Sequence, residues 1–429
     1  MSPKTQPHHV ALLIVALLLG GNLLVGARVF NTAGQESEKA AAFTHLHRFT
    51  TVLEQVRSYY VDTDKVGYSD LVEGALGGML QSLDPHSQFL NADEHKELQD
   101  DTAGQFGGVG VVVSYREGTL LVVAPMEDTP AWRAGMMPGD IITSIDGEST
   151  LDMPLGSAIK TLRGAPGTVV SVGFVREGET EERKIDLIRE IIDSPSVKDT
   201  RMLADGIGYF RITQFSEPTA DEVRSALDTL LKQNLRALVI DLRNNPGGLL
   251  NSAIDVSGML LEHHKLVVFT QGRTPASRKD YSARGARHLT DIPVALLVNG
   301  GSASASEILA GALQDNHRAV LVGERTFGKG SVQSILPLED GSAIRLTTAK
   351  YYTPSGRSIH NLGIDPDIQA PMSADDWQLI QMKRARPPNA PPSEFDAAMN
   401  AVVDTQLDRA VEVLRGVMLF NARSASASR

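Results

Sequence analysis

The stretch VNGGSASASEILAGALQD, residues 298–315, decides how this chain folds. A predicted strand ends at Val298, a turn of small residues follows, and a helix is predicted to begin near Ser304. A serine at a helix N-terminus lies beside free backbone N–H groups and the positive end of the helix dipole, where a developing oxyanion is stabilised. Serines also cap helices often. This stretch alone therefore leaves open whether Ser302, Ser304 and Ser306 are structural or catalytic.

Strands and helices alternate on both sides of this stretch. Strands are predicted at Ile207–Ile212 and Ala237–Leu242, with a helix at Ala220–Gln233 between them. The further predicted strands are Leu266–Thr270, Val294–Val298, Ala319–Val322 and Ile344–Thr347. Apolar strands separated by helices are typical of a layered α/β core rather than of a sandwich. We expect residues 193–375 to form this core, together with part of 70–100.

The rest of the chain predicts a multidomain α/β (α+β) protein. Residues 35–100 have apolar side chains at helical spacing, and residues 101–192 change to the alternation typical of strands. The last region, residues 376–429, begins with a linker. Within it, the segment Arg386–Pro392 is rich in proline. One amphipathic helix is expected after it, over residues 395–419, followed by a disordered tail.

Composition excludes several classes of protein and site. The chain has 429 residues and a net charge of −11, with 41 basic and 52 acidic residues. No basic face or stripe is evident, so a nucleic-acid partner is not expected. There are no cysteines, which excludes a cysteine nucleophile, a thiolate zinc site and a disulfide framework.

The N-terminus carries a long apolar run. Residues 10–26 are apolar apart from Asn22, and Lys4 precedes them. This pattern predicts a secretion signal or a single membrane anchor within residues 1–34, and whether it is cleaved stays open. A buried core helix would normally keep one polar face. We therefore expect export to the periplasm or cell envelope.

A second chemical stretch is GERTFGKGSVQ, residues 323–333. Glycines bracket Lys329, and Gln333 lies on the same side of an extended segment. A lysine acts as general base only when neutral, which requires burial to lower its pKa from about 10.4 to roughly 7–8. A neutral amide such as Gln333 can orient that amine. The alternative is a surface lysine in a turn. A nucleotide-binding loop is rejected, because Gly330 stands where serine or threonine should bind magnesium.

Together the two stretches closely resemble the C-terminal processing (tail-specific) peptidases. The segments GGMLQSLDPHSQFL, DLRNNPGG and TAKYYTPSGRSIH are also similar to that family, so the resemblance covers roughly residues 45–370. It implies Ser304 as nucleophile, Lys329 as general base and Gln333 as the residue that orients the lysine. It further implies an oxyanion hole made of the Gly248 and Ala305 N–H groups, with Gly247 as a weaker candidate. The DLRNNPGG segment could also be a plain strand-to-helix turn.

Residues 104–190 resemble a PDZ domain. The segment GGVGV, which runs from Gly107 through Gly108, Val109 and Gly110 to Val111, is similar to its carboxylate-binding loop. The strand that follows offers an edge to an added peptide strand. Arg163 could lie near the peptide end or at a domain interface. The alternative is a small β-domain with an ordinary glycine turn.

The resemblance implies a serine endopeptidase that binds substrate C-terminal tails and needs no metal or nucleotide. Tail binding at one site raises the effective concentration of substrate at the other. An adaptor or activator protein is a further expected partner. Terminal helices at 45–65 and 395–419 could pair between subunits, or each could pack on its own domain. The competing hypothesis is a catalytically silent PDZ scaffold that retains the protease fold.

Overall fold

The structure is a computed structural model that describes residues 42–116, 118–126, 128–137, 139–176, 181–284, 289, 291–385 and 396–427. The apolar run at residues 10–26, the turn near Gly178 and the proline-rich segment lie outside these ranges. Among the described helices, none combines the length and apolar character needed to cross a membrane. The chain divides into a unit that ends at Leu83 and a unit that runs from Asp84 to Arg429.

The secondary structure confirms a mixed α/β protein. The helices are α1 (residues 42–59), α2 (Tyr68–Gln81), α3 (Ala92–Thr102), α4 (Pro130–Arg133), α5 (Leu155–Leu162), α6 (Thr219–Leu231), α7 (Leu250–Leu260), α8 (Ala305–Asp315), α9 (Ala374–Ala385), α10 (Asp396–Ala401) and α11 (Thr405–Ala427). The strands are β1 (Gln88–Leu90), β2 (Gln105–Gly108), β3 (Val111–Arg116), β4 (Thr119–Pro125), β5 (Ile141–Ile145), β6 (Glu148–Ser149), β7 (Val169–Val175), β8 (Arg183–Ile188), β9 (Glu190–Asp193), β10 (Val197–Met202), β11 (Ile207–Ile212), β12 (Ala237–Asp241), β13 (Leu266–Gln271), β14 (Lys279–Ser282), β15 (Val294–Val298), β16 (Val320–Gly323), β17 (Ser331–Pro337), β18 (Ala343–Tyr352) and β19 (Ile368–Gln369).

The first unit contains α1 and α2, within the region that the sequence predicts to be helical, and α1 ends at residue 59 rather than 65. Arg57 joins the end of α1 to the start of α2: its Nε donates to the Val66 carbonyl at 3.1 Å, and its guanidinium lies 3.3 Å from the centre of the Tyr68 ring. The apolar side chains of α1 remain exposed, as at Val52, which is 51% exposed.

The predicted layered core is present in the second unit. Its main sheet has the order β10-β11-β12-β15-β16-β19, and all its pairs are parallel except β10 with β11. Alternate residues of each strand face opposite sides. Leu238 and Ile240 of β12 pack with α6, α7 and α8, whereas Ala237 and Val239 pack with α11 on the other face. Helices therefore cover both faces, as a buried parallel sheet requires.

A second sheet lies beside the core and carries the segment that follows the lysine loop. Its order is β1-β18-β13-β14, and β17 pairs with the long strand β18. Gln88 of β1 lies opposite Arg345 of β18, so the segment just after Asp84 joins this sheet. Residues 88–90, which fall within the 70–100 segment expected to contribute to the core, form β1 of this second sheet.

The strand-rich module is a separate sheet with its own core. Its order is β3-β4-β5-β7-β8, and β2 pairs with β9 in a two-stranded ribbon. The buried side chains Leu120, Val122, Ile142, Val172 and Phe174 fill it. Strand β3 stands at one end of this order and is therefore an edge strand, as the sequence predicts.

The C-terminal region differs from the prediction of one helix over 395–419 and a disordered tail. The helix is interrupted between Ala401 and Thr405, giving α10 and α11. Asp404 lies in the break, where its Oδ1 accepts the Leu407 N–H at 3.1 Å as a helix cap. Helix α11 then continues through Ala427, past the expected end of the ordered chain.

Candidate active site

Three loops converge at one edge of the main sheet. Because β12, β15 and β16 are parallel neighbours, their carboxyl ends lie at the same edge. Residues 242–249 follow β12, residues 299–304 follow β15, and residues 324–330 follow β16. Crevices at the carboxyl ends of parallel strands are the usual ligand sites of α/β folds. The serine and lysine stretches are therefore brought to the same place.

Ser304 lies immediately before α8 in a strained conformation. Its φ is 55° and its ψ is −111°, which a residue with a side chain rarely adopts. Such backbone strain costs about 1–3 kcal/mol, persists only where surrounding contacts hold it, and is concentrated at functional sites. A nucleophilic serine on a sharp strand-to-helix turn has this kind of geometry.

The three neighbouring serines have different surroundings. Ser302 Oγ donates to the Leu242 carbonyl at 2.8 Å, and Ser306 Oγ donates to the Asn245 carbonyl at 3.0 Å. Both are fully buried, so their hydroxyls fasten the loop after β12 to the loop after β15. Ser304 is 9% exposed, and its hydroxyl donates to no acceptor in the described part of the chain. Of the three, Ser304 is the one whose hydroxyl remains available.

Asn245 is a residue that sequence reasoning missed. It is fully buried, its carbonyl accepts the Ala303 N–H at 2.9 Å, and its Nδ2 donates to the Ile212 carbonyl at 2.8 Å. Its Oδ1 accepts the Gly247 N–H at 2.8 Å. Asn245 thus fixes the glycine turn against the residues before Ser304. Asn245 lies in the DLRNNPGG segment, but its structural role depends on contacts with residues that are distant in sequence.

The predicted oxyanion-hole residues are Gly248, in the glycine turn, and Ala305, at the start of α8. A methyl group on Gly247 would stand 2.8 Å from both the Ala305 nitrogen and Ser304 Cβ, so the turn touches the start of α8. The N–H groups of Gly248 and Ala305 have no acceptor among the described residues, whereas the Gly247 N–H already donates to Asn245. The two predicted donors are therefore the free ones.

Lys329 is half-buried between Gly328 and Gly330. Burial lowers the pKa of its ammonium group, and the nearby Arg345 cation lowers it further. Both effects favour the neutral amine that a general base requires. Within the described residues, no hydrogen bond joins Lys329 Nζ to Ser304 Oγ or to Gln333. Catalytic hydrogen bonds are often long in proteins without substrate.

Gln333 lies on β17, four residues after the lysine. Its Nε2 donates to Thr347 Oγ1 at 2.8 Å and to Ser331 Oγ at 3.3 Å. Its Oε1 is buried and has no hydrogen-bond partner in the described part of the chain. A buried acceptor without a partner is costly, so this oxygen is suited to receive a donor such as an amine.

Two histidines, His86 and His360, also lie near the site. The pKa of His86 is lowered by burial and by the charge of Lys329, which places this histidine close to the lysine. A methyl group on Gly330 would stand 2.2 Å from the backbone nitrogen of His360, so the His360 segment packs on the lysine loop. Sequence reasoning did not include His86 or His360, because neither has a local nucleophile motif.

Glu307 is a further site component that sequence reasoning missed. It is fully buried in the first turn of α8, and its Oε2 accepts the backbone N–H groups of both Ser304 and Lys329. The signal was present as Ser-x-x-Glu, which predicts a capping box. That pattern does not predict a bond to a loop far along the chain.

The segment that the sequence predicts as a carboxylate-binding loop turns at Gly110, whose φ is 72°. The carbonyls of Val109 and Gly110 accept the N–H groups of Ala131 and Met126, at 2.9 and 2.8 Å. Their own N–H groups donate to no acceptor among the described residues. Val109 points its side chain into the core of the module, so only its backbone can face a ligand. Gly108 and Val111 flank the loop, at the end of β2 and the start of β3.

Arg163 lies at the junction of this module with α3. Its guanidinium binds Glu97 at 3.2 Å and Asp101 at 3.1 Å, and it stacks on the Phe106 ring at 4.7 Å. A methyl group on Gly108 would stand 3.7 Å from Arg163 Cα, so its backbone borders the glycine loop. Of the two placements that the sequence left open, the guanidinium occupies the interface.

Sequence models of three families match the chain. Peptidase family S41 matches residues 206–370, the PDZ domain matches 121–176, and the activating protease CtpB N-terminal domain matches 25–94. The first match contains all three loops of the site, and the second lies within the strand-rich module.

The chain is similar to known proteins over most of its length. The carboxy-terminal-processing protease of Bartonella bacilliformis is 40% identical over 366 residues, which cover 84% of this chain and 82% of the relative. The carboxy-terminal processing protease CtpA of Bacillus subtilis is 34% identical over 363 residues, covering 84% and 74%. The solved photosystem II D1 C-terminal processing protease is 31% identical, with a TM-score of 0.46, over 75% of this chain and 92% of that one.

Proposed function

Because the chain belongs to the carboxy-terminal processing serine proteases of peptidase family S41 and carries a PDZ domain, we propose that Ser304 is its nucleophile and Lys329 its general base. The observation that carries this proposal is the strained, available Ser304 at the start of α8. The lysine loop meets it at the same sheet edge. The half-buried Lys329 has a lowered pKa, as the base of a serine–lysine dyad requires.

The reaction is acyl transfer in two steps. Neutral Lys329 takes the Ser304 hydroxyl proton as the oxygen attacks the peptide carbonyl, and the N–H groups of Gly248 and Ala305 stabilise the resulting oxyanion. The lysine then gives its proton to the leaving amine. Water, deprotonated in turn by Lys329, attacks the acyl carbon; the bond from that carbon to the Ser304 oxygen breaks, and Lys329 returns the proton to this oxygen. Gln333 orients the lysine amine through its Oε1.

Substrate selection is assigned to the PDZ domain. A substrate C-terminus adds as a strand to the edge of β3, and its carboxylate accepts the N–H groups of the loop from Gly108 to Val111. Two features support this: the free N–H groups of Val109 and Gly110, and the terminal place of β3 in its sheet. The backbone of Arg163 borders this loop, while its guanidinium is held by Glu97 and Asp101 of α3. Tail binding there holds the scissile bond near Ser304 at high effective concentration.

The cellular setting follows from the N-terminal run at residues 10–26. An apolar segment preceded by Lys4 supports action in the periplasm or cell envelope, on exported proteins with exposed tails. Fractionation of cells that express the full chain or a form without residues 1–34 tests this. Recovery of both forms in the cytosol would contradict export. The proposal also includes an activator protein as a partner. It further includes pairing of subunits through the terminal helices at 45–65 and 395–419.

The decisive experiment compares serine variants on a denatured model protein with a free C-terminal tail. Ser304→Ala should abolish cleavage and labelling by a fluorophosphonate, because it removes the nucleophile. Ser302→Ala and Ser306→Ala serve as controls, with activity expressed per folded molecule, since both hydroxyls hold the loops together. Labelling that survives in Ser304→Ala would refute the assignment. A wild-type chain inert in both assays would favour the silent scaffold or a missing activator.

A further inference from the structure

Glu307 joins the nucleophile segment to the lysine loop through one carboxylate. Its Oε2 accepts the Ser304 N–H at 2.8 Å and the Lys329 N–H at 2.9 Å. These two nitrogens therefore lie within about 6 Å of each other, since both contact the same oxygen. Its Oε1 accepts the Gly328 N–H at 2.7 Å and the Thr326 hydroxyl at 2.5 Å. Both oxygens of a fully buried side chain are thus occupied by donors from two separate loops.

A capping role explains only one of these four bonds. A capping glutamate accepts the N–H of the residue before the helix, which here is the bond from Ser304. The other three donors belong to residues 326–329, on the loop after β16. Thr326 extends the connection, because its hydroxyl also accepts the Ile364 N–H at 2.7 Å. Glu307 therefore holds together segments that are far apart in sequence.

An acceptor-only group is what these surroundings require. Four donors point at the two oxygens, and the N-terminus of α8 favours negative charge. Burial raises the pKa of the Glu307 carboxyl above its ordinary value, and the hydrogen bonds from Thr326, Gly328, Ser304 and Lys329 oppose that rise. A neutral amide of the same size offers one acceptor oxygen, so its NH₂ group would face two of these four donors. The site would then lose two bonds at once.

On the premise of the proposed dyad, we propose that Glu307 is the positioning residue that sets the separation of Ser304 and Lys329. Its bond to the Ser304 N–H also helps hold the strained backbone at φ 55°. Glu307 does not touch the substrate. It acts on the reaction through the placement of the two residues that do, and displacement of reacting groups by about 1 Å can cost about a hundredfold in rate.

The test uses Glu307→Gln and Glu307→Asp in the full chain. We expect kcat to fall about a hundredfold in Glu307→Gln while KM stays within about threefold, because the substrate-binding surfaces are unchanged. Glu307→Asp keeps the charge but shortens the side chain, and should lose about tenfold in kcat. If Glu307→Gln does not fold, the kcat of Glu307→Asp tests the inference instead. The matched control is Gln314→Ala, which removes hydrogen bonds to Asp365 and Asp367 at the other end of α8.

Hydrogen–deuterium exchange supplies a readout that does not need activity. In Glu307→Gln, the amides of Ser304 and Lys329 should exchange about tenfold faster, both together, while Gln314→Ala leaves them protected. A kcat within threefold of wild type in the folded variants, or faster exchange in only one of the two segments, would overturn the inference. Ser304→Ala separates the two proposals: if it retains activity, the dyad is wrong, and the exchange result still decides whether Glu307 joins the loops.

Discussion

The buried charge network behind the oxyanion turn gives the sharpest stability prediction. Arg243 is fully buried, and its guanidinium binds Asp241 on one side and Asp404 on the other, with Nη1 and Nη2 lying 2.7 and 2.8 Å from the Asp404 oxygens. Burial alone would raise the pKa of Asp241, but Arg243 and Arg384 outweigh it and hold this pKa well below its usual range. Asp404 thus ties α11 to the end of β12.

We expect Asp404→Ala to lower the free energy of unfolding of the core by about 4 kcal/mol. Breaking a buried ion pair costs about 3–5 kcal/mol, and the lower figure applies because Arg243 keeps Asp241 and Gln406 as partners. Loss of the cap on Leu407 N–H adds about 1 kcal/mol. For a core of this size the melting temperature should fall by about 8–16 °C. Asp404→Asn keeps an oxygen that can accept from the Arg243 guanidinium and the Leu407 N–H, so the free energy of unfolding should fall by only about 2 kcal/mol.

The assay is thermal and urea unfolding followed by the fluorescence of Trp377. This indole lies 4.8 Å from the Arg243 guanidinium, so it reports on the network itself. The chain has two tryptophans, and a Trp132→Phe background leaves Trp377 as the single reporter. Glu412→Ala is the matched control, because its pair with Arg409 is exposed on the same helix and should contribute less than about 0.5 kcal/mol. A loss below about 1 kcal/mol in Asp404→Ala would refute the reasoning.

Three further predictions concern activity. Gly247→Ala should abolish cleavage, since its methyl would stand 2.6 Å from the Ala303 carbonyl at φ 101°, whereas Gly300→Ala, with no atom within 4 Å, should keep full activity in the same gel assay. The rate should rise with pH as Lys329 loses its proton. Arg345→Gln removes a neighbouring cation and raises the pKa of Lys329, so the rising limb of the kcat profile should move to higher pH; an unmoved limb would exclude that charge as a cause. Amidation of the substrate C-terminus should raise KM about tenfold and leave kcat unchanged if the PDZ loop binds the carboxylate, and equal KM values for both substrates would contradict it.

Several elements were predictable because their signals are local. The strands Ile207–Ile212 and Val294–Val298 have the bounds that their apolar runs predict. The helix that begins after Ser304 is also placed correctly, because a small-residue turn separates it from the strand. The single helix over 395–419 was wrong, since its interruption depends on a tertiary ion pair between Asp404 and Arg243 that helical periodicity does not encode.

The sequence by itself determined the α/β core, the PDZ-like module, the family and the identity of the candidate serine and lysine, because these depend on local periodicity and on motif order. Only the tertiary structure decided which groups surround them. Glu307, Asn245 and His86 reach the site through hydrogen bonds or charges that join segments distant in sequence, and Arg163 is placed at an interface by α3. Such contacts are fixed by how parallel strands align their carboxyl ends, which no single stretch of sequence specifies.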